Sequence, residues 1–122
     1  MTAHEVGTKL VELCQQGKNF EAMETLYAPD VVSVEAGAPP GMPREFTGKE
    51  AVIGKSKWWV DNHEIHSGTC EGPYPHDDRF IVRFDYDVTF KPTGKRFRMT
   101  EAALYTVANG LVAREEFFYS MG

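Results

Sequence analysis

Apolar residues recur at intervals of three and four along the first part of the chain. Val6, Leu10 and Leu13 line one face of a predicted first helix, and Gly17 follows as its C-cap. A second, shorter stripe with the same spacing runs over residues 20–27. The pattern therefore predicts two helices at the start of the chain.

A short strand and a long loop follow the second helix. Pro29 ends that helix, because a residue that precedes proline is disfavoured in the α region. Residues 31–35 alternate and are rich in valine, which predicts a strand that ends at Glu35. The next segment, residues 36–46, is rich in proline and glycine and is predicted to be a loop.

The period of the pattern changes from helical to alternating near residue 63. Residues 49–62 have helical spacing, and the residues after them alternate. The predicted strands cover residues 63–71, 80–90, 96–107 and 111–120, with turns between them. Two helices, a strand, a helix and four antiparallel strands predict an α+β fold, with the helices on one side of a curved sheet.

The composition is that of an ordinary globular domain. The chain has 122 residues, of which 42% are hydrophobic and 25% charged, and this size fits a single domain over residues 1–122. The net charge of −5 and the dispersed basic residues disfavour a nucleic-acid partner. No apolar run reaches the length of a membrane span and residues 1–6 do not resemble a signal peptide, so we expect a soluble, cytoplasmic protein with no membrane partner.

The cysteines and histidines form no recognisable metal motif. Cys14 and Cys70 lack CxxC spacing and are predicted to be reduced core residues. His63 and His66 have no third ligand at a recognisable spacing. We therefore expect no metal and no other cofactor.

Three short motifs connect this order of elements to a known family. They are residues 26–30 (Leu-Tyr-Ala-Pro-Asp), 48–53 (Gly-Lys-Glu-Ala-Val-Ile) and 109–112 (Asn-Gly-Leu-Val). The chain resembles the nuclear transport factor 2-like superfamily, in particular its SnoaL-like branch, which includes polyketide cyclases. The resemblance implies a cone-shaped fold in which three helices and a curved antiparallel sheet enclose a pocket. It does not assign a function, because this fold hosts isomerases, cyclases, dehydratases and non-catalytic binders.

The ketosteroid isomerases of this superfamily allow a comparison at the level of residues. Counted without gaps from Tyr27, their general-base aspartate matches Glu35, and a supporting tyrosine matches Tyr27 itself. Their two oxyanion donors fall near Leu10 and on Ala103, which cannot donate a hydrogen bond. The resemblance therefore implies a base at Glu35 and disfavours steroid isomerisation by the mechanism of those enzymes.

The register of the last hairpin decides which polar side chains face the pocket. A three-residue loop with a glycine bulge pairs Ala103 with Glu115. It puts on the pocket face Glu101, Tyr105, Glu115, Phe117 and Tyr119. A two-residue Asn-Gly turn would instead bring to that face Arg114, Glu116 and Phe118.

In the first register three carboxyl groups converge, those of Glu35, Glu101 and Glu115. Like charges in a low dielectric raise each other's pKa, so one carboxyl would stay protonated near neutral pH. An acid and a base together fit proton abstraction next to a carbonyl, a cyclisation or a dehydration. In the alternative interpretation Glu115 is a solvated strand residue that pairs with Arg98 or Arg114, and Glu35 caps a turn.

Other side chains complete the candidate site. His63, where the third helix ends, is a candidate proton shuttle or a structural histidine. Trp59 shares a helical stripe with Val52 and is expected at the wall of the pocket or in the core beneath it. The full set of predicted pocket-lining residues is Tyr27, Ser33, Trp59, Tyr105, Phe117 and Tyr119.

The outer face of the sheet is predicted to be a dimer interface. Ala102, Leu104 and Thr106 make the outer face less polar than a solvent-exposed face, and the resemblance implies a homodimer through it.

We expect a SnoaL-like isomerase, cyclase or lyase that binds a hydrophobic or aromatic carbonyl compound. The alternative is a non-catalytic ligand-binding or dimerisation module, which the missing oxyanion donors favour.

Overall fold

The computed structural model describes residues 1–120. The helices are α1 (Ala3–Gln15), α2 (Asn19–Leu26) and α3 (Lys49–Asn62). The strands are β1 (Tyr27–Val34), β2 (Glu45–Thr47), β3 (His63–His76), β4 (Arg79–Phe90), β5 (Lys95–Ala108) and β6 (Leu111–Phe118). This order confirms the α+β prediction, with three helices and a long antiparallel region in the second half of the chain.

The six strands form one sheet in the order β2-β1-β6-β5-β4-β3. All neighbouring pairs are antiparallel except β1 and β6, which run parallel, so the sheet is mixed rather than wholly antiparallel. The parallel pair places Ser33 beside Glu115. It therefore brings the first strand and the last strand together at the centre of the candidate site.

Helix α1 packs on the inner face of the sheet. A capping box starts the helix, because Thr2 and Glu5 each accept a hydrogen bond from the other's backbone N–H. Its apolar stripe includes Val6 and Leu10, both fully buried, and it packs in one core with sheet residues such as Phe80. The helical spacing of the apolar residues thus fixes which face of α1 is turned toward the sheet.

Two strands differ in extent from their predictions. Strand β1 begins at Tyr27 instead of residue 31, because an irregular pairing with β6 between Tyr27 and Val32 accommodates Pro29. Strand β3 continues to His76 instead of ending at residue 71. It is an edge strand, and a bulge between Glu71 and Tyr74 accommodates the prolines there.

None of the helices within residues 1–120 is long and apolar enough to cross a membrane.

The close approach of α1 to the sheet gives a testable prediction about Gly7. A Cβ atom at this position would lie 2.8 Å from the Pro73 Cβ and 3.1 Å from the Phe80 ring. We expect Gly7→Ala to lower the free energy of unfolding by about 1–3 kcal/mol, measured by urea titration, because the core is overpacked. The control is Gly54→Ala in α3, where nothing lies within 4 Å of the added Cβ. That variant should be neutral or up to about 1 kcal/mol more stable, and equal effects at both sites would contradict the packing account.

Candidate functional site

A large cavity lies between the helices and the inner face of the sheet. Its volume is about 1490 Å³, and its walls combine aromatic and apolar side chains with a small polar group of residues. We define as the polar group the lining residues Tyr27, Glu35, Lys55, Glu101, Tyr105, Glu115 and Tyr119; other polar residues, such as Gln15, Asn19 and Arg98, line the cavity elsewhere. A cavity of this kind, mostly apolar with a few convergent polar groups, is typical of small-molecule sites.

The last hairpin matches neither predicted register along its whole length. Ala108 pairs with Leu111, so the turn has two residues, and Asn109 and Gly110 both have positive φ there. A bulge then shifts the register by one residue before Tyr105 pairs with Glu115. The predicted pairing of Ala103 with Glu115 is wrong.

The bulge nevertheless restores the predicted face. Ala103 pairs with Phe117 and Tyr105 with Glu115, so the inward-facing residues of β6 are Glu115 and Phe117. Glu115 is 1% exposed, which contradicts the alternative in which it is a solvated strand residue. The bulge therefore determines which carboxyl groups of this hairpin reach the cavity.

Lys55, on α3, is at the centre of the polar group. Its Nζ donates hydrogen bonds to Ser33 Oγ and to Glu35 Oε1, each at 2.7 Å, and lies 3.7 Å from Glu115 Oε1. The Lys55 side chain is 10% exposed. The ammonium also lies over the Phe117 ring, 4.8 Å from its centroid. One buried cation thus links the carboxylates of β1 and β6.

Both carboxylate oxygens of Glu35 have protein partners. Oε1 accepts from Lys55, and Oε2 accepts from the Tyr119 hydroxyl at 2.8 Å. The Glu35 backbone N–H also donates to the Arg44 carbonyl at 2.8 Å, which holds the end of β1 against the loop. Glu35 is therefore fixed in place at the cavity wall, where the sequence predicted it.

Glu115 is held in the same polar group from the opposite side. Its Oε2 accepts a hydrogen bond from the Tyr27 hydroxyl, and its Oε1 faces Lys55. Burial raises the pKa of Glu115, while the Lys55 charge and the bond from Tyr27 oppose the rise. Burial and the Glu115 charge raise the pKa of Tyr27, which keeps its hydroxyl a donor.

Glu101 differs from the other two carboxyl groups. Within residues 1–120, no side chain forms a hydrogen bond or an ion pair with it. Burial, and after it the Glu35 charge, raise the pKa of Glu101 to about 7, while the Lys55 charge opposes the rise. A carboxyl group in this state can accept or give a proton near neutral pH.

Strand β5 orders the cavity from an aromatic end to a polar end. Its inward positions run from Phe97 through Met99 and Glu101 to Ala103 and Tyr105. The polar end continues across the sheet through Glu115 and Ser33, and the aromatic end continues to Phe90 and His63. Glu101 thus lies at the boundary between the two ends.

His63 belongs to the aromatic end. Its ring stacks on Trp59 with centroids 4.3 Å apart, and its Nδ1 lies 2.8 Å from the Trp59 carbonyl oxygen. Phe90 lies next to it, with centroids 5.1 Å apart. No hydrogen bond joins His63 to Glu35, Glu101 or Glu115 in the described part of the chain, so its surroundings are those of a packed histidine.

The other sequence-predicted residues lie mostly where expected. Trp59, Tyr105, Phe117 and Tyr119 line the cavity with Tyr27. Ser33 is fully buried behind the wall, pairs with Glu115 across the strands, and accepts a hydrogen bond from Lys55. The two cysteines are free thiols.

Lys55 is a residue of the candidate site that the sequence analysis missed. It lies three residues after Val52 and four before Trp59, so it is on the same inward helical stripe. A lysine on an apolar stripe is a signal for a buried cation that needs an acidic partner.

The pKa of Glu101 gives a prediction about stability. The ordinary pKa of a glutamate is about 4.5. Between that pH and about pH 7, the folded chain holds the Glu101 proton more tightly than the unfolded chain does, so the free energy of unfolding falls as the pH rises. We expect Glu101→Gln to remove this loss. The variant should match the wild type at about pH 4 and exceed it at about pH 8 by up to about 3 kcal/mol.

Urea unfolding at a series of pH values measures this difference. Glu71→Gln is the matched control, because Glu71 is an exposed glutamate on β3. A difference between Glu101→Gln and the wild type that does not change with pH would rule out the raised pKa.

Comparisons with known proteins agree with this geometry. A model of the SnoaL-like domain matches residues 1–119. The fold superposes on a candidate SnoaL-like polyketide cyclase from Mesorhizobium loti with a TM-score of 0.92 and 46% identity, covering 98% of this chain and 100% of that one. No curated protein sequence matches the chain.

More distant structures share the fold. A candidate isomerase from Bacillus subtilis has a TM-score of 0.77 and 21% identity, covering 98% of this chain and 90% of its own. A protein from Catenulispora acidiphila with a ketosteroid isomerase-like fold was solved with trimethylamine. It has a TM-score of 0.72 and 23% identity, and the match covers 99% of this chain and 88% of that one. The family match and the 46% identical relative establish that this chain belongs to the SnoaL-like domain family.

Proposed function

We propose that the protein catalyses proton transfer on a hydrophobic carbonyl compound bound in the cavity, with Glu101 as the acid–base group. The observation that supports this most directly is a carboxyl group at the cavity wall with a pKa of about 7 and no partner in the described chain. Glu35, the base implied by the family comparison, already accepts hydrogen bonds on both oxygens. Glu101 is therefore the better candidate for the base.

The proposed step transfers one proton and rearranges one pair of electrons. The Glu101 carboxylate takes a proton from the carbon next to the ligand carbonyl. The C–H electron pair becomes a C=C bond and the C=O π pair moves to oxygen, which gives an enolate. The Glu101 carboxylic acid can then return the proton to another carbon, as an isomerase would, or an enolate carbon can attack a second carbonyl, as a cyclase would.

The names of similar proteins support this class of chemistry. The 46% identical relative is named a candidate polyketide cyclase, and a more distant structure is named a candidate isomerase. An aldol cyclisation and a double-bond isomerisation next to a carbonyl both begin with removal of a proton beside that carbonyl. The aromatic end of the cavity, with Trp59, His63 and Phe90, favours a ligand with a flat apolar body.

Deuterium exchange into 2-tetralone, an aromatic ketone with acidic C–H bonds, tests the proposal. The wild type should accelerate exchange in D₂O, followed by NMR, with a rate that rises with pH and levels off above about pH 7. Glu101→Gln should lower the rate at least about a hundredfold, because it cannot accept the proton. Glu71→Gln, at an exposed site on β3, should exchange like the wild type. Equal rates in Glu101→Gln and the wild type would refute the role of Glu101.

A second candidate function is non-catalytic binding of an organic cation. The Glu101 carboxylate, which has no partner within residues 1–120, is paired across the strands with Phe84, whose ring stacks on that of Tyr86. Such a group is a suitable site for an ammonium ion, and one distant relative was solved with trimethylamine. In that case the wild type would bind benzyltrimethylammonium in calorimetry at about pH 8 and would not exchange 2-tetralone. The exchange assay therefore separates the two functions.

We also propose that the protein forms a homodimer through the outer face of the sheet. Ile81 and Phe118 are 41% and 53% exposed on this face, and their strand partners Leu104 and Ala102 are partly exposed beside them. Charged pairs flank these apolar residues, such as Arg83 with Asp85 at 3.1 Å. Apolar contact at the centre with charges around it is typical of a two-fold interface.

The dimer can be tested with a charge at its proposed centre. We expect Leu104→Glu to shift the protein from dimer to monomer in sedimentation velocity, because it would place two carboxylates in an apolar contact. Thr8→Glu, on the exposed side of α1, should leave the distribution unchanged. A wild-type protein that sediments as a monomer would refute the interface.

A further inference from the structure

We propose that the Lys55 ammonium binds an oxygen atom of the ligand and provides the positive charge opposite the developing enolate. It would replace the two oxyanion donors that the family comparison finds missing at Leu10 and Ala103. This inference rests on the proposed function and narrows its substrate class. The substrate is a ring compound whose carbonyl or enol oxygen lies at Lys55, within reach of Glu101.

The position of Lys55 makes it accessible to a ligand. Its side chain is 10% exposed and lines the cavity. The rings of Phe46 and Phe117 lie near the ammonium, with centroids at 5.8 and 4.8 Å. A cation among apolar groups interacts with an anionic oxygen far more strongly than it would in water, because the local dielectric is low.

The hydrogen-bond geometry leaves Lys55 a donor to spare. An ammonium group has three N–H bonds, and two of them reach Ser33 and Glu35 at 2.7 Å. The nearest atom of Glu115 is at 3.7 Å, beyond the length of a good hydrogen bond. Within residues 1–120, the third N–H therefore has no acceptor at bonding distance.

Lys55 and Glu101 line the same cavity, so both can contact one ligand. Glu101 lies two residues before Ala103, whose strand partner Phe117 has its ring centroid 4.8 Å from Lys55 Nζ, and the Lys55 charge affects the pKa of Glu101. The ring of a ligand would occupy the aromatic end of the cavity, beyond Glu101 on β5. Its oxygen would then point to the polar end, where the Lys55 ammonium lies between Glu35, which is 21% exposed, and the buried Glu115.

The probe 2-naphthol tests this inference through its state of ionisation. A phenol bound with its oxygen at an ammonium group is stabilised as the anion, and the naphtholate differs from naphthol in absorbance and fluorescence. We expect the wild type to bind 2-naphthol at about pH 8 largely as the anion, and to bind it at least about tenfold more tightly than naphthalene. Lys55→Met should lose the bound anion and this preference.

Three further variants control the interpretation. Lys57→Met removes an exposed lysine of the same helix and should behave like the wild type. Lys55→Arg keeps the positive charge and should still bind part of the naphthol as the anion. This variant also provides the test of Lys55 if Lys55→Met does not fold. Glu101→Gln should still bind the anion although it no longer exchanges 2-tetralone.

These measurements separate the inference from the proposed function. Bound naphtholate that persists in Lys55→Met, or wild-type protein that binds 2-naphthol only in its neutral form, would overturn the role of Lys55. A wild-type protein that binds naphtholate at Lys55 but does not accelerate 2-tetralone exchange would overturn the proposed catalysis. The oxygen-binding role of Lys55 would then still hold.

Discussion

The ion pair between Lys55 and Glu35 is the interaction on which the candidate site depends. Three carboxyl groups border one cavity, and two of them, those of Glu35 and Glu115, are close enough to repel each other strongly in a low dielectric. The ammonium group between them compensates this repulsion and also holds Ser33. Burying such charges has a large desolvation cost, and removing one partner leaves an uncompensated charge behind. This arrangement is thus poorly suited to stability alone and better suited to a site that needs fixed charges.

The three glutamates have the same side chain and different environments. Glu35 accepts two hydrogen bonds, Glu115 accepts one from Tyr27 and faces Lys55, and Glu101 has neither kind of contact in the described chain. Burial raises the pKa of both Glu101 and Glu115, and at Glu115 the bond from Tyr27 opposes the rise; enzymes use such differences to give carboxyl groups distinct roles at one pH. The residue that matches the base of better-known relatives therefore accepts hydrogen bonds on both oxygens here, and the group proposed to transfer the proton, Glu101, lies two strands away in the sheet.

Local sequence predicted the fold and much of the cavity wall, but not the centre of the site. Helix ends, the strand before Glu35 and the alternation of β4 and β5 follow from periodicity, proline and turn residues, so they could be predicted. The convergence of Glu101 and Glu115 was predicted from a three-residue loop, but it depends instead on a two-residue turn and a bulge between Thr106 and Val107, which no local pattern predicted. Lys55 was missed because a lysine on a helix is usually solvated, and its partners lie on strands far along the chain. Long-range pairing, rather than propensity, determined these features.

The parallel pairing of β1 and β6 also affects the order in which parts of the protein fold. The Tyr119–Glu35 hydrogen bond joins residues 84 positions apart, and the strand before Tyr119 inserts between β1 and β5. Contacts with such separation in sequence slow folding, because a long loop must close before they form. Until β6 is in place, Lys55 and Glu35 lack one wall of their cavity and stay in contact with water. The charges of the site would therefore be desolvated only in a late step of folding, after the helices and the β3–β4–β5 meander have supplied most of the core.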